Sequence, residues 1–336
     1  VGYDAYHIQH IGMGIFGCSI AFLNQQKRRI VMLDFLWYRF PTSGVETYLF
    51  VPPLVMFIAA SITATGGISG AFLLLPFQVS VLHYTSPGAS ATNFIYNIVA
   101  IPGGVYRYIR DGKFSWTLFL SLMIGTLPGV FFGYWMRIVY LPDPKRFKFF
   151  VGCVLLYLGL RTVWSALGEF RKGGGRPTQV KGRISREKFG LKSLVEFENR
   201  RYVFSSIGVM VVALFVGVIG GAYGIGGGAL MAPYLISVLE LPVYIVSGAA
   251  LCSTWVTSIL GAIIYAVGPL STPSAQTSPD WLLGALFGLG GFAGTYFGAW
   301  LQKYLPSSWI KAVLGLIIVY IAVRYVSPMV MSFIAS

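Results

Sequence analysis

Two clusters of glycine interrupt apolar runs that would otherwise read as membrane helices, and the clusters are copies of each other. The first is Gly66-Gly67-Ile68-Ser69-Gly70-Ala71 and the second is Gly224-Ile225-Gly226-Gly227-Gly228. Gly67-Ile68 falls on Gly224-Ile225 and Pro76 on Pro233, a shift of 157 in both cases (224 − 67 and 233 − 76). Glycine at this density destabilises a helix and lets the backbone unwind, which leaves N–H groups that hydrocarbon cannot satisfy. In a membrane protein a protein-lined cavity and its ligand usually take that role, and paired Gly/Pro interruptions in two halves point to a transport site.

The rest of the chain repeats as well. Ser80-Val81-Leu82 matches Ser237-Val238-Leu239, and Gly88-Ala89 matches Gly248-Ala249. Trp116 falls on Trp281, and Phe132-Gly133 with Trp135 on Phe297-Gly298 with Trp300. Lys148, Gly152, Tyr157 and Arg161 fall on Lys311, Gly315, Tyr320 and Arg324. The offset drifts only where loops differ in length, so the chain is a duplicated unit.

At 56% hydrophobic and 11% charged over 336 residues, the chain is too apolar for an average soluble domain. The expected fold class is an all-α polytopic membrane protein of two inverted-topology repeats. Each repeat has a glycine-broken helix hairpin followed by three full transmembrane helices. The apolar segments are 48–65, 71–82, 88–106, 114–136 and 147–168, then 203–223, 228–239, 243–267, 281–301 and 309–326. Four regions follow: an N-terminal extension over 1–47, repeat 1 over 48–170, a basic linker over 171–202, and repeat 2 over 203–336. The linker opens on Arg171-Lys172-Gly173-Gly174-Gly175-Arg176-Pro177, a composition expected of a flexible connection.

Charge sets the orientation. The net charge of +14 comes from Lys and Arg gathered in loops, which membrane orientation explains without nucleic acid. Ten Lys/Arg lie between Arg171 and Arg201 against Glu187, Glu196 and Glu198, which places the linker in the cytoplasm. Loop 107–113 carries Arg107, Arg110 and Lys113, whereas its counterpart 268–280 has no Lys or Arg. Equivalent loops therefore lie on opposite sides, and both termini are expected outside the cytoplasmic membrane. Arg137, Lys145, Arg146 and Lys148 oppose this arrangement and are outweighed by the linker.

No Asp or Glu lies inside the ten apolar segments. Cation-coupled carriers and cation channels commonly place carboxylates there, so the absence points to an anion. An unwound loop leading into a helix offers backbone donors and the positive end of a dipole. The two helix starts lie near Ala71 and Ala229. In the next span Ser90, Asn93 and Asn97 share one helix face, and with a shift of 160 the two asparagines map to Ser253 and Thr257. Thr92, Thr254 and Ser258 stand beside them. Amides and hydroxyls can hold an oxyanion without burying a charge, yet the same residues also join membrane helices at about 0.6 to 2 kcal/mol. The candidate binding set is Gly66, Gly67, Ser69, Gly70, Ala71, Asn93, Asn97, Gly224, Gly226, Gly227, Gly228, Ser253 and Thr257.

Other features have structural readings. Gly125, Gly129, Gly133 and Gly290, Gly294, Gly298, each at i, i+4, i+8, read as packing seams. Arg161 and Arg324 suit either anion guidance at the mouths or snorkelling to the interface. His7 and His10, and Cys18, Cys153 and Cys252, lack metal-ligand spacing, so no metal or other cofactor is expected. The expected partners are a small anion and the lipid bilayer, with a homo-oligomer left open. Gly67-Ile68-Ser69-Gly70 also fits the G-x-S-G of intramembrane serine proteases, whose serine needs a histidine base. His83 is 14 positions on (83 − 69), and the second copy has Gly226 in place of Ser69. Catalysis is therefore disfavoured.

GGISGAFLLLP and YGIGGGALMAP, each followed by a Gly-Ala helix carrying Thr-Asn or Ser-Thr, resemble the TauE/SafE family of sulfite and organosulfonate exporters. The resemblance covers about 48–328 and is closer in the second copy, since Ser69 and Ala71 stand where the family commonly has glycine. It implies export of a small sulfur-containing anion by alternating access. The residues alone reach only a small anion, carried or passed through a channel.

Overall fold

The computed structural model describes residues 36–65, 69–171, 182–198, 200–270, 276–301 and 307–334. Gly66, Gly67 and Ile68 lie outside the described residues, as do most of the N-terminal extension with His7, His10 and Cys18, and the glycine-rich opening of the linker.

Helices dominate, and their bounds follow the apolar segments closely. The first half contains α1 (Val51–Thr65), α2 (Ala71–Ser80), α3 (Pro87–Ala100), α4 (Pro102–Arg110), α5 (Trp116–Val139) and α6 (Pro144–Arg171). The second contains α7 (Ser206–Tyr223), α8 (Gly227–Ser237), α9 (Val243–Val267), α10 (Trp281–Leu301) and α11 (Ser307–Ile334). Among the described residues six helices are long and apolar enough to cross a bilayer: α5, α6, α7, α9, α10 and α11. The protein is a multi-pass, mainly helical membrane protein.

One expected full-length span is split. Residues 88–106 form α3 and α4 with Ile101 between them, because Pro102 has no N–H to continue the ladder and its ring collides with the preceding turn. Its counterpart α9 has no proline at that point and runs unbroken for 25 residues.

The strongest packing crosses between the halves. α1 lies along α10, α7 along α5, and α6 along α11, while α3 and α9 cross each other and touch α10 and α5 respectively. The two glycine stripes are the seams. A Cβ at Gly125, Gly129 or Gly133 would strike the carbonyls of Met210, Leu214 or Val218 on α7. One at Gly290, Gly294 or Gly298 would strike those of Pro53, Phe57 or Ser61 on α1. Small residues bring these backbones into direct contact, which drives association where lipid removes the hydrophobic effect.

Short β-structure precedes the first helix of each half. β1 (Trp37–Arg39) pairs antiparallel with β2 (Glu46–Tyr48) ahead of α1. Ahead of α7, β3 (Ile184–Lys188), β4 (Lys192–Phe197) and β5 (Arg200–Ser205) make a three-stranded antiparallel sheet inside the stretch read as a flexible linker. Its inner face carries Val195, Phe197 and Phe204, which pack on Leu118 and Leu122 of α5 and Leu235 of α8.

Hydrogen bonds fix the two ends of the bundle. At the linker end Ile184 N donates to Gly112 O (2.9 Å), and Thr117 N donates to Glu187 Oε2 (3.1 Å) at the start of α5. At the opposite end Asp280 Oδ2 accepts from Ser43 N (3.1 Å) and Ser43 Oγ (2.8 Å), and Asp280 Oδ1 from Leu283 N (3.0 Å). Asp280 therefore caps α10 and ties it to the segment ahead of α1, just outside the apolar run. Arg137, whose charge opposes the expected orientation, is fully buried at this end. It donates to Leu141 O and to Thr85 O (2.7 Å), and lies 3.5 Å from the centre of the Phe147 ring. Of the four basic residues there, this one serves packing rather than the surface.

Candidate functional site

The second break keeps a backbone that only glycine takes comfortably. Gly224 ends α7 in the left-handed region at φ +89°, and Gly226 precedes α8 at φ +80°, ψ 153°. The N–H groups of Gly224, Ile225 and Gly226 all turn back to Gly220 O, at 2.9, 3.0 and 3.3 Å. Gly226 has no side chain to cap α8, so the first-turn donors from Gly227 onward have no intrahelical partner. Close approach adds a second demand. A Cβ on Gly224 would overlap Ser90 O, one on Gly228 would overlap Ala250 O, and one on Gly227 would overlap the Thr126 side chain.

At the first break, Gly70 precedes α2 with ordinary helical angles (φ −60°, ψ −23°). Ser69 Oγ accepts from Ala71 N (3.3 Å), while Ser69 O accepts from Phe72 N (3.3 Å) and Gly70 O from Leu73 N (3.0 Å). This helix start is thus largely closed by its own chain.

The two breaks meet. Tyr223 Oη, at the end of α7, donates to Phe72 O in the first turn of α2 (3.0 Å). Asn93 Nδ2 donates to Ala71 O (3.3 Å), and Asn97 Nδ2, one turn further along α3, donates to Gly224 O (3.4 Å) and Ile225 O (3.1 Å). Ser90 Oγ donates to Ala222 O (2.8 Å). The polar face of α3 therefore stitches the first helix start to the second break. Ser253 and Thr257 hold the matching place on α9. Ser253 Oγ lies 3.4 Å from Thr126 Oγ1, and Thr257 donates within its own helix to Ser253 O (2.7 Å) and Thr254 O (3.1 Å). The Thr257 hydroxyl proton is thereby occupied, so this residue presents an acceptor rather than the expected donor.

Asn93, Asn97, Ser253, Thr257 and Ser258 are all fully buried, so this conformation is closed to both ends of the bundle. Two pockets lie elsewhere. One of about 420 Å³ is apolar and bounded by Phe132, Trp135 and Phe150. The other, about 370 Å³, sits at the Asp280 end beside His83, Tyr84 and Ser43. Burial raises the Tyr84 phenol well above its ordinary range, so it stays protonated.

Gln78 joins this polar cluster, and motif reading passed over it. It is fully buried on α2 and its Nε2 donates to Asn93 Oδ1 (3.2 Å). The one available signal was its isolation, a lone amide in an apolar helix whose second-half counterpart, shifted by 157, is Leu235. The protease-like pairing fails on geometry. Ser69 and His83 lie beyond opposite ends of α2, whose ten residues span about 15 Å. No group of three or more His, Cys, Asp or Glu with metal-binding geometry occurs among the described residues.

Comparison with known proteins agrees with this architecture. The family described as Sulfite exporter TauE/SafE matches residues 53–325, from α1 to the last turns of α11. The chain belongs to the TauE/SafE family. It is also 20% identical over 280 residues to the "Probable membrane transporter protein YunE" of Bacillus subtilis (strain 168), covering 80% of this chain and 94% of that protein. No solved structure matches. As a member of this family the protein is a membrane transporter.

Proposed function

We propose that the protein is a secondary transporter that exports a small sulfur-containing anion, such as sulfite or an organosulfonate, by alternating access. The meeting of the two helix starts on Asn93 and Asn97 carries this reading. Backbone donors at Gly227 and Gly228 would face the anion. Ser69, Gly70, Ala71, Asn93, Asn97, Gly224, Gly226, Ser253 and Thr257 would complete the shell. No carboxylate lies in these walls to repel the ligand.

The proposed frame is a pair of inverted repeats in the cytoplasmic membrane. Exchanging the halves maps the α1–α10 pairing onto α7–α5 and leaves α6–α11 and α3–α9 unchanged, which supports a two-fold relation. α1 begins near Ser43 at the Asp280 end, and α7 begins at the linker end. The basic linker favours a cytoplasmic location for its end, with both termini outside. A resting potential negative inside would drive an anion outward at about 2.3 kcal/mol per charge per 100 mV. Full burial of the polar set favours a carrier with an occluded state over an open channel.

Thermal unfolding of the purified protein across sulfite, organosulfonates, sulfate, carboxylates and inorganic cations tests the assignment. Sulfur oxyanions are expected to stabilise it in a concentration-dependent manner. Stabilisation by cations alone overturns the anion reading, and single-channel currents in a planar bilayer would overturn the carrier.

A further inference from the structure

The amides at the centre are oriented by main-chain carbonyls, which cannot donate. Asn97 Nδ2 faces Gly224 O and Ile225 O, so Asn97 Oδ1 must point the other way, where it has no partner among the described residues. Asn93 Nδ2 faces Ala71 O, so Asn93 Oδ1 faces Gln78 and requires its Nε2. Gln78 Oε1 is then left buried without a partner. Exchanging O and N in any of these amides would oppose two acceptors or two donors, so the orientations hold as a set. The Thr257 hydroxyl proton is already given to its own helix, and Ser258 Oγ is buried without a partner. Buried acceptors without a partner among the described residues, Asn97 Oδ1 and Gln78 Oε1, thus sit on the side chains that bond the second break and its neighbour Asn93. An anion without hydrogen-bond donors leaves these acceptors unmet, which is expected to weaken its binding by about tenfold or more.

We propose that the ligand carries a hydrogen-bond donor of its own together with its negative charge, as a singly protonated oxyanion or a hydroxyl-bearing sulfonate does, with Gln78 Oε1 and Asn97 Oδ1 receiving the donor. This rests on the anion reading above. Gln78 acts as both a positioning and a specificity residue. It holds the Asn93 amide toward Ala71 and supplies an acceptor that Leu235 cannot supply in the other half.

The test compares 2-hydroxyethanesulfonate with 1-propanesulfonate, two monoanions of like size that differ by OH in place of CH3, by calorimetric titration of the purified protein. The hydroxyl compound is expected to bind at least about tenfold more tightly. In Gln78→Leu the ratio is expected to fall below about threefold, and in Gln78→Asn, which keeps an uncharged amide with both donor and acceptor, to persist. Equal or reversed affinities in the unsubstituted protein overturn the donor requirement while leaving anion transport standing. Loss of the ratio in Gln78→Asn as complete as in Gln78→Leu overturns the role given to Gln78 Oε1. Sodium-dependent binding with no preference for the hydroxyl assigns the acceptors to a cation and overturns the proposal. Failure of every sulfonate and of sulfite to bind removes the anion reading itself.

Discussion

The two glycine breaks began as copies and have diverged in what closes them. At the first, Ser69 accepts from Ala71 N and Gly70 sits at helical angles, so the chain supplies most of its own partners. At the second, Gly224 and Gly226 adopt positive φ and the N-cap residue of α8 has no side chain, so the first-turn donors lack an intrahelical partner. The asymmetry extends outward. The first half adds Gln78, Asn93 and Asn97 where the second has Leu235, Ser253 and Thr257. One half presents mainly main-chain donors and the other mainly side-chain amides. Matched positions of the two halves therefore carry different polar groups.

This division is broken most directly at Gly226. A Cβ there would sit 3.0 Å from Thr257 Oγ1 and 3.1 Å from Thr254 O, in a backbone region costing about 1–3 kcal/mol for other residues. Gly226→Ala is expected to abolish transport in proteoliposomes and to lower the unfolding temperature, whereas Ser69→Gly at the matched position leaves both measurable. Equal damage from the two would show that the breaks are interchangeable.

Asn97→Ala comes next. It strands Gly224 O and Ile225 O, for about 1–3 kcal/mol, and is expected to weaken anion binding by about tenfold or more in titration calorimetry. Ser253→Ala, whose hydroxyl meets only Thr126 at 3.4 Å, is expected to have a clearly smaller effect. The reverse order would place the binding weight on α9.

The smallest effect is expected from Ser69→Ala, the loss of one cap worth about 1 kcal/mol in thermal unfolding with transport retained. Complete loss of function with the fold intact would instead return Ser69 to a chemical role.

Much of this was legible from residues alone. Most helix bounds and the glycine seams follow from apolar period and small-residue spacing, whereas which helices pair became visible only in the fold. The sheet of β3 to β5 was hidden because its strands are short and rich in Lys and Arg, and its inner face of Val195, Phe197 and Phe204 makes sense only against α5 and α8. The split at Pro102 was readable in principle, but the apolar run outweighed the proline. Arg137 was misread because charge counting treats every Arg near a helix end as solvated, while this one finds carbonyls and an aromatic face in the interior. Gln78 and the amide relay could not be read, since nothing in the sequence says which carbonyl an amide will meet.

Each half lends its leading helix to the opposite half, with α1 seated on α10 and α7 on α5. Cohesion of the halves is carried by these helix pairs, so two separately translated polypeptides divided within 172–181 are expected to co-purify from the membrane as a pair.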